Sequence, residues 1–165
     1  MTGRLDTHRV GAIVAVNVSK GGVQKISVSG AQVARSGLVG DAQNDTIHHG
    51  GPDRAVCIYS LELIRALQQE GHPIDVGTAG ENLTVEGVDW QLVAPGALLS
   101  VGDDVLLEVV SFTNPCKTIK DSFIDGKFAR IAQKLHPGWS RVYARVLKDG
   151  RICPGDPVQV ASPPR

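Results

Sequence analysis

The sequence has no excess of charge of either sign: seventeen Lys and Arg balance seventeen Asp and Glu over 165 residues. Without net charge no global field draws the protein to nucleic acid or to an anionic membrane, so any anion site must be local. Long apolar runs are also missing. Residues 1–8 hold no stretch of the kind that opens a secretory signal, and no run approaches the roughly 20 residues that cross a bilayer. These absences predict a cytoplasmic protein with neither nucleic acid nor membrane as partner. Cysteine is scarce, with three residues and no CxxC spacing. That fits a reducing compartment better than a disulfide framework, and no spacing among the three resembles a structural zinc site. No linker or low-complexity segment divides the chain, whose length suits one domain over residues 1–165, burying about two-thirds of its extended-chain surface.

What is present reads as short strands punctuated by glycine. Residues 10–18 and 26–33 are apolar and rich in β-branched side chains, separated by Lys20-Gly21-Gly22, which predicts a hairpin-like opening. Residues 98–101 and 105–112 flank a Gly102-Asp103 turn, and Pro154-Gly155-Asp156 repeats that chemistry before residues 158–160. Residues 54–59 and 141–147 read as further strands. Ser60 is placed to cap a helix through Glu70, with Leu61, Ile64 and Leu67 on one face and Gly71 as its stop; a second helix is predicted over residues 127–135, before His136-Pro137-Gly138. Many strands and two helices predict a mainly β fold, a closed or nearly closed β-barrel with a few short helical insertions.

Chemistry concentrates in Thr113-Asn114-Pro115-Cys116-Lys117. Pro115 fixes its own φ and biases Asn114 towards extended backbone, so Cys116 falls where a strand gives way to a loop. A lysine sharing that environment favours the thiolate, the form that attacks electrophiles and binds metals. In His48-His49-Gly50-Gly51-Pro52-Asp53-Arg54, paired glycines let backbone approach a ligand and Arg54 suits a phosphate or oxyanion. Glu81 and Asn82 together offer donors and acceptors to a polar ring, although such glycine-rich segments are common as plain turns. Lys20 can carry an ammonium to a phosphate, but the P-loop pattern is absent. Cys57 lies in an apolar run and reads as a packing residue, Cys153 belongs to the last turn, and His8, His72 and His136 read as surface positions.

Gly37-Leu38-Val39-Gly40-Asp41, His49-Gly50-Gly51-Pro52-Asp53-Arg54-Ala55-Val56, Gly80-Glu81-Asn82-Leu83 and Asn114-Pro115-Cys116-Lys117, in that order, resemble the MOSC domain family, named for the carboxyl-terminal domain of molybdenum cofactor sulfurases. The resemblance spans roughly residues 10–160, and the ordered set is far more specific than any one motif. It implies a β-barrel-rich fold and, in enzymatic members, a molybdenum cofactor (molybdopterin) whose metal is bound by the residue matching Cys116. By resemblance, Lys20, His49, Arg54 and Asn82 are candidates to hold phosphate and pterin, and Lys117 tunes the thiolate. The implied reaction removes oxygen from a small N-hydroxylated base or amidoxime, with electrons from a separate donor protein. Many members carry an arginine shortly before the Pro-Cys pair; here Thr113 and Asn114 stand instead. Two alternatives use the same residues: a sulfur carrier with a Cys116 persulfide serving metal-sulfur cluster or cofactor maturation, and a noncatalytic module that binds the cofactor without turnover.

Overall fold

The structure, a computed structural model, describes residues 10–21, 24–42 and 51–161. Within them the strands are β1 Gly11–Val18, β2 Ile26–Val28, β3 Ala31–Ala34, β4 Gly37–Leu38, β5 Val56–Ser60, β6 Leu83–Glu86, β7 Leu98–Val101, β8 Val105–Phe112, β9 Val142–Lys148, β10 Gly150–Ile152 and β11 Pro157–Ala161. One α-helix, α1 Leu61–Gln69, follows β5 directly.

Seven strands close into a barrel in the order β11, β7, β8, β9, β5, β6, β1, with β1 pairing back onto β11. β1 is long enough to take three partners along its length: β11 at Gly11 and Ala12, β6 from Ala12 to Val16, and β2 from Val16 to Val18. Strand alternation fills the interior, since successive side chains point to opposite faces. Val105, Leu107 and Val109 of β8, Val142, Ala144 and Val146 of β9, and Val158 and Val160 of β11 all join one apolar cluster. A small sheet, β10-β3-β4, lies against this core with Ala31, Val33, Leu38 and Ile152.

A second apolar cluster sits outside the barrel wall. Tyr59 from β5, Ile64 and Leu67 from α1, Ile74, Ala79, and Ile119, Phe123 and Ile131 from the segment after Cys116 make it. α1 forms as its caps dictate. Ser60 Oγ accepts from Leu63 N, Leu61, Ile64 and Leu67 are buried, and Gly71 at φ 100° closes a Schellman turn. In that turn His72 N donates to Leu67 O and Gly71 N to Gln68 O.

The structure departs from the sequence reading at three places. Residues 127–135 form no α-helix: a 3-10 turn, Phe128–Ile131, ends a series of three such turns. Asp125 and Gly126, both at positive φ, break the path, and Leu135 faces outward instead of completing an apolar stripe. Residues 26–33 are not one strand. Ser29 and Gly30 divide them between the barrel sheet and the small sheet, where a Cβ on Gly30 would lie about 3 Å from Cys153 Sγ and Ile152 O. His72 is no solvated surface residue, since its side chain is nearly covered, its ring edge meets Phe123 and its Nδ1 accepts from Ile124 N. Among the described residues no helix is long and apolar enough to cross a membrane.

Candidate functional site

Cys116 is delivered by the end of β8. The register of β8 on β9 slips between Val109 and Ser111, so Ser111 stands opposite Tyr143 and Phe112 opposite Val142. Such a bulge re-aims the residues beyond it. Ser111 therefore joins Tyr143 on the outer face of the barrel, and the ladder runs on past β8, with Thr113 N donating to Arg141 O at 2.9 Å. Ser140 Oγ donates to Thr113 O at 3.1 Å, fixing the last buried residue before the loop. Cys116 then sits in extended backbone, φ −141° and ψ 176°, as the cap of the 3-10 turn Lys117–Ser122, and its carbonyl accepts from Ile119 N. Its side chain is half-buried, with Sγ 2.8 Å from Thr118 Oγ1. The thiol is presented on a fixed turn, and Lys117 beside it is exposed.

The outer face of β5 and β9 supplies a wall. Cys57 pairs with Tyr143 across the two strands, and the Arg54 guanidinium lies 5.6 Å from the centroid of the Tyr143 ring. Burial pushes the Tyr143 phenol up to about 12, with the sulfurs of Cys57 and Cys116 acting in the same direction against Arg141 and Arg54. Arg54 is exposed at the end of the 3-10 turn Pro52–Arg54, entered through Gly51 at φ 98°. Among the described residues no atom lies within 4 Å of a Cβ built on Gly51, so its glycine serves the backbone angle.

Behind the wall lies a buried polar group. Arg141 Nη1 donates to Ala79 O at 2.6 Å. Glu81 is 0% exposed, with Oε2 accepting from Thr84 Oγ1 at 3.3 Å and Oε1 meeting no partner among the described residues. Burial raises its carboxyl to about 7, the nearby Arg141 opposing only part of the effect. Cys57 is buried here, as its apolar run predicts, and burial raises its thiol, Arg141 again opposing.

Asn82 is a structural hub. Its Oδ1 accepts from Cys57 N at 2.9 Å and its Nδ2 donates to Asp41 Oδ2 at 2.8 Å, while its backbone N donates to Cys57 O and its backbone O accepts from Asn17 N. Asp41 Oδ1 in turn accepts from Ser19 N and from Lys25 Nζ, a covered ion pair at 2.7 Å. The side chain of Asn82 is thus taken up in joining β1, β5, β6 and the segment at Asp41. Lys20 is exposed one residue beyond Ser19. The structure brings Cys116, Arg54 and the neighbourhood of Cys57 together around Tyr143 and places Lys117 next in chain to Cys116; His49 lies outside the described residues. Tyr143 and Arg141 were not singled out from sequence. The signal was present in β9 and the residue before it, where Arg141, Tyr143 and Arg145 alternate with Val142, Ala144 and Val146.

Comparison with known proteins agrees with this architecture. The MOSC domain family model matches residues 45–159. The chain is 30% identical over 146 residues to the uncharacterized protein YflK of Bacillus subtilis, covering 88% of this chain and 65% of YflK. It is 34% identical over 137 residues to a protein named Reductase from Gibberella moniliformis, covering 78% of this chain and 23% of that one. It thus spans less than two thirds of the length of either curated relative. Among solved structures, YiiM from Geobacillus stearothermophilus matches with a TM-score of 0.71 at 26% identity, over 92% of this chain and 75% of YiiM. The chain belongs to the MOSC domain family.

Proposed function

We propose that this MOSC-domain protein binds a molybdenum cofactor through Cys116 and reduces small N-hydroxylated compounds to the corresponding amines or amidines. The observation that carries the reading is the presentation of Cys116. Of the three cysteines, Cys57 is inside the wall and Cys153 is held in the Cys153–Asp156 turn, whereas Cys116 alone caps a fixed turn at the mouth of a strand.

The donor set fits the group. A soft thiolate suits a sulfur-rich metal centre. Arg54 and Lys117, with Lys20, offer exposed cations for a phosphate, Arg54 in bidentate fashion. When bound, the cofactor supplies the two-electron chemistry of the reaction. The chain's own residues hold and orient. Tyr143 stands in the wall, and Arg54 over its ring keeps a positive charge there. Asn82 acts through the scaffold, fixing β5 and hence Arg54 and Cys57 against β1 and β6.

The test is metal and pterin analysis of protein purified from a host that makes the cofactor, comparing wild type with Cys116→Ala. Near-stoichiometric molybdenum in wild type, lost in the variant, is the expected result, with turnover of N-hydroxylated bases lost as well. Molybdenum retained by Cys116→Ala would overturn the assignment of the ligand. Absence of molybdenum from both proteins, with cofactor supply confirmed, would turn the reading to a Cys116 persulfide, which releases thiocyanate with cyanide.

A further inference from the structure

The segment from Cys116 to Trp139 has one face that is accounted for and one that is not. Inward, Ile119, Phe123 and Ile131 pack against Tyr59, Ile64 and Leu67, and Ser122 Oγ reaches Thr78 Oγ1 at 2.9 Å. Arg130 grips Glu70 with two hydrogen bonds, at 2.9 and 2.8 Å, and stacks 4.0 Å from the Trp139 centroid. Outward, Lys117, Lys120, Lys127 and Lys134 are all exposed, with Asp121 and Asp125 among them. Two apolar side chains stand on the same stretch, Ile124 at 41% and Leu135 at 63% exposure.

The charge is not spread evenly along the barrel. β8 runs from the Gly102–Asp104 turn to the Cys116 loop, roughly 24 Å for a strand of this length. At the far end Asp103 and Asp104 are exposed, and Asp149 joins them at the β9–β10 turn, with Lys148 and Arg151 as the exposed cations on either side of it. A neutral protein therefore carries three exposed aspartates against two exposed cations at one end of β8, and four exposed lysines against two exposed aspartates on the segment that follows Cys116 at the other. A negatively charged body approaching such a molecule is turned towards the lysine end, an effect on encounter rate that salt removes.

We infer that the outward face of residues 117–135 is the docking surface for an acidic redox protein that delivers electrons to the Cys116 site. The inference rests on the reductase reading given above. That reaction consumes two electrons from the partner and two protons from water. The N–O bond breaks, one proton ends on nitrogen, and the other leaves with the hydroxyl as water. Exposed lysines and the exposed Ile124 and Leu135 on this one segment supply the charged and the apolar side chains that brief electron-transfer encounters use.

The experiment uses the cofactor-loaded protein and the triple variant Lys120→Glu/Lys127→Glu/Lys134→Glu, which leaves Lys117 and Arg54 untouched. Turnover is driven either by reduced methyl viologen or by an acidic [2Fe–2S] ferredoxin kept reduced. In parallel, 15N-labelled protein of each kind is titrated with the same ferredoxin and its amide shifts are followed. The expected result is an equal viologen-driven rate in the two proteins and a ferredoxin-driven rate about tenfold lower in the variant at low salt, the gap closing as salt rises. Amide shifts should map to residues 117–135 in wild type and vanish in the variant. An unchanged ferredoxin-driven rate, or shifts that map elsewhere, overturns the docking surface. Self-association of wild type at low salt that the variant lacks also overturns it, assigning the face to a second copy's aspartates. Absence of viologen-driven turnover in wild type sinks the reductase reading instead, and the titration still decides the surface.

Discussion

The barrel and the strap of 3-10 turns that follows Cys116 are held by different kinds of contact. The barrel's interior is one apolar cluster drawn from every strand of the closed sheet. The strap has three fully buried apolar anchors and otherwise depends on discrete polar ties: Arg130 to Glu70, Ser122 to Thr78, and His72 to Ile124 N. Tyr59 Oη donates to Trp139 O and Trp90 Nε1 to Ser140 O, so two aromatic tips hold the strap's far end. In the barrel stability is distributed and no single contact decides the geometry of a residue. In the strap a few named contacts decide where the Cys116 turn rests. Segments of that second kind open locally at lower free-energy cost than the core.

The comparison is broken most severely from the barrel side. Leu107→Ala, which opens a cavity in the apolar cluster, should cost about 3 kcal/mol of global stability, read by denaturant unfolding. Next comes the buried acid between the two regions. Glu81 is held near 7 in the folded chain against an ordinary value of 4.5, so folding favours its neutral form. Its contribution is fully present below about pH 4.5, declines as pH rises, and is lost above about pH 7, a fall of roughly 3 kcal/mol from this group alone. Glu81→Gln should flatten that part of the stability profile, and an equally steep profile in the variant would assign the slope to another group.

Arg130→Ala sharpens the contrast. Removing an exposed bidentate pair and one ring contact should lower global stability by only about 1 kcal/mol. Amide exchange across residues 117–139 should nevertheless quicken far more than exchange in β8 or β9. Equal acceleration in both would show that strap and barrel open together. Smallest is Cys116→Ala, whose stability should stay within about 0.5 kcal/mol of wild type, since a half-exposed thiol packs against little.

Elements with a strong local code were readable. The Ser60 cap, the apolar face of α1, the Gly102 turn and the apolar run of β8 each carry their own physical signal, and each is found where sequence places it. The split between β2 and β3 was hidden because Gly30 is required by a neighbour distant in sequence, the turn at Cys153. The missing second helix has a similar cause. Phe128 and Ile131 have helical spacing, but their burial is satisfied by a single 3-10 turn docked on α1. Near the site, the position of Cys116 where β8 gives way to a loop was legible from the adjoining proline. The roles of Asn82 and Glu81 were not, because an Asn that ties three strands and an Asn that awaits a ligand look alike until the strands are paired. Several motifs that carry the family resemblance prove to be joints: Gly37 passes against Ala55 O where a Cβ would lie at 2.5 Å, and Asp41 gathers Ser19, Lys25 and Asn82.

The three-way pairing of β1 has a consequence for how the chain acquires its shape. Gly11 must wait for Val158, 147 residues further along the chain, and Ala12 to Val16 must wait for β6. Until then one edge of β1 stays open, and an apolar strand with an unpaired edge invites the wrong neighbour. Closure is a contact of very high sequence separation, which slows folding, so the β11-paired start of β1 should gain protection after its β2-paired end in pulse-labelled refolding.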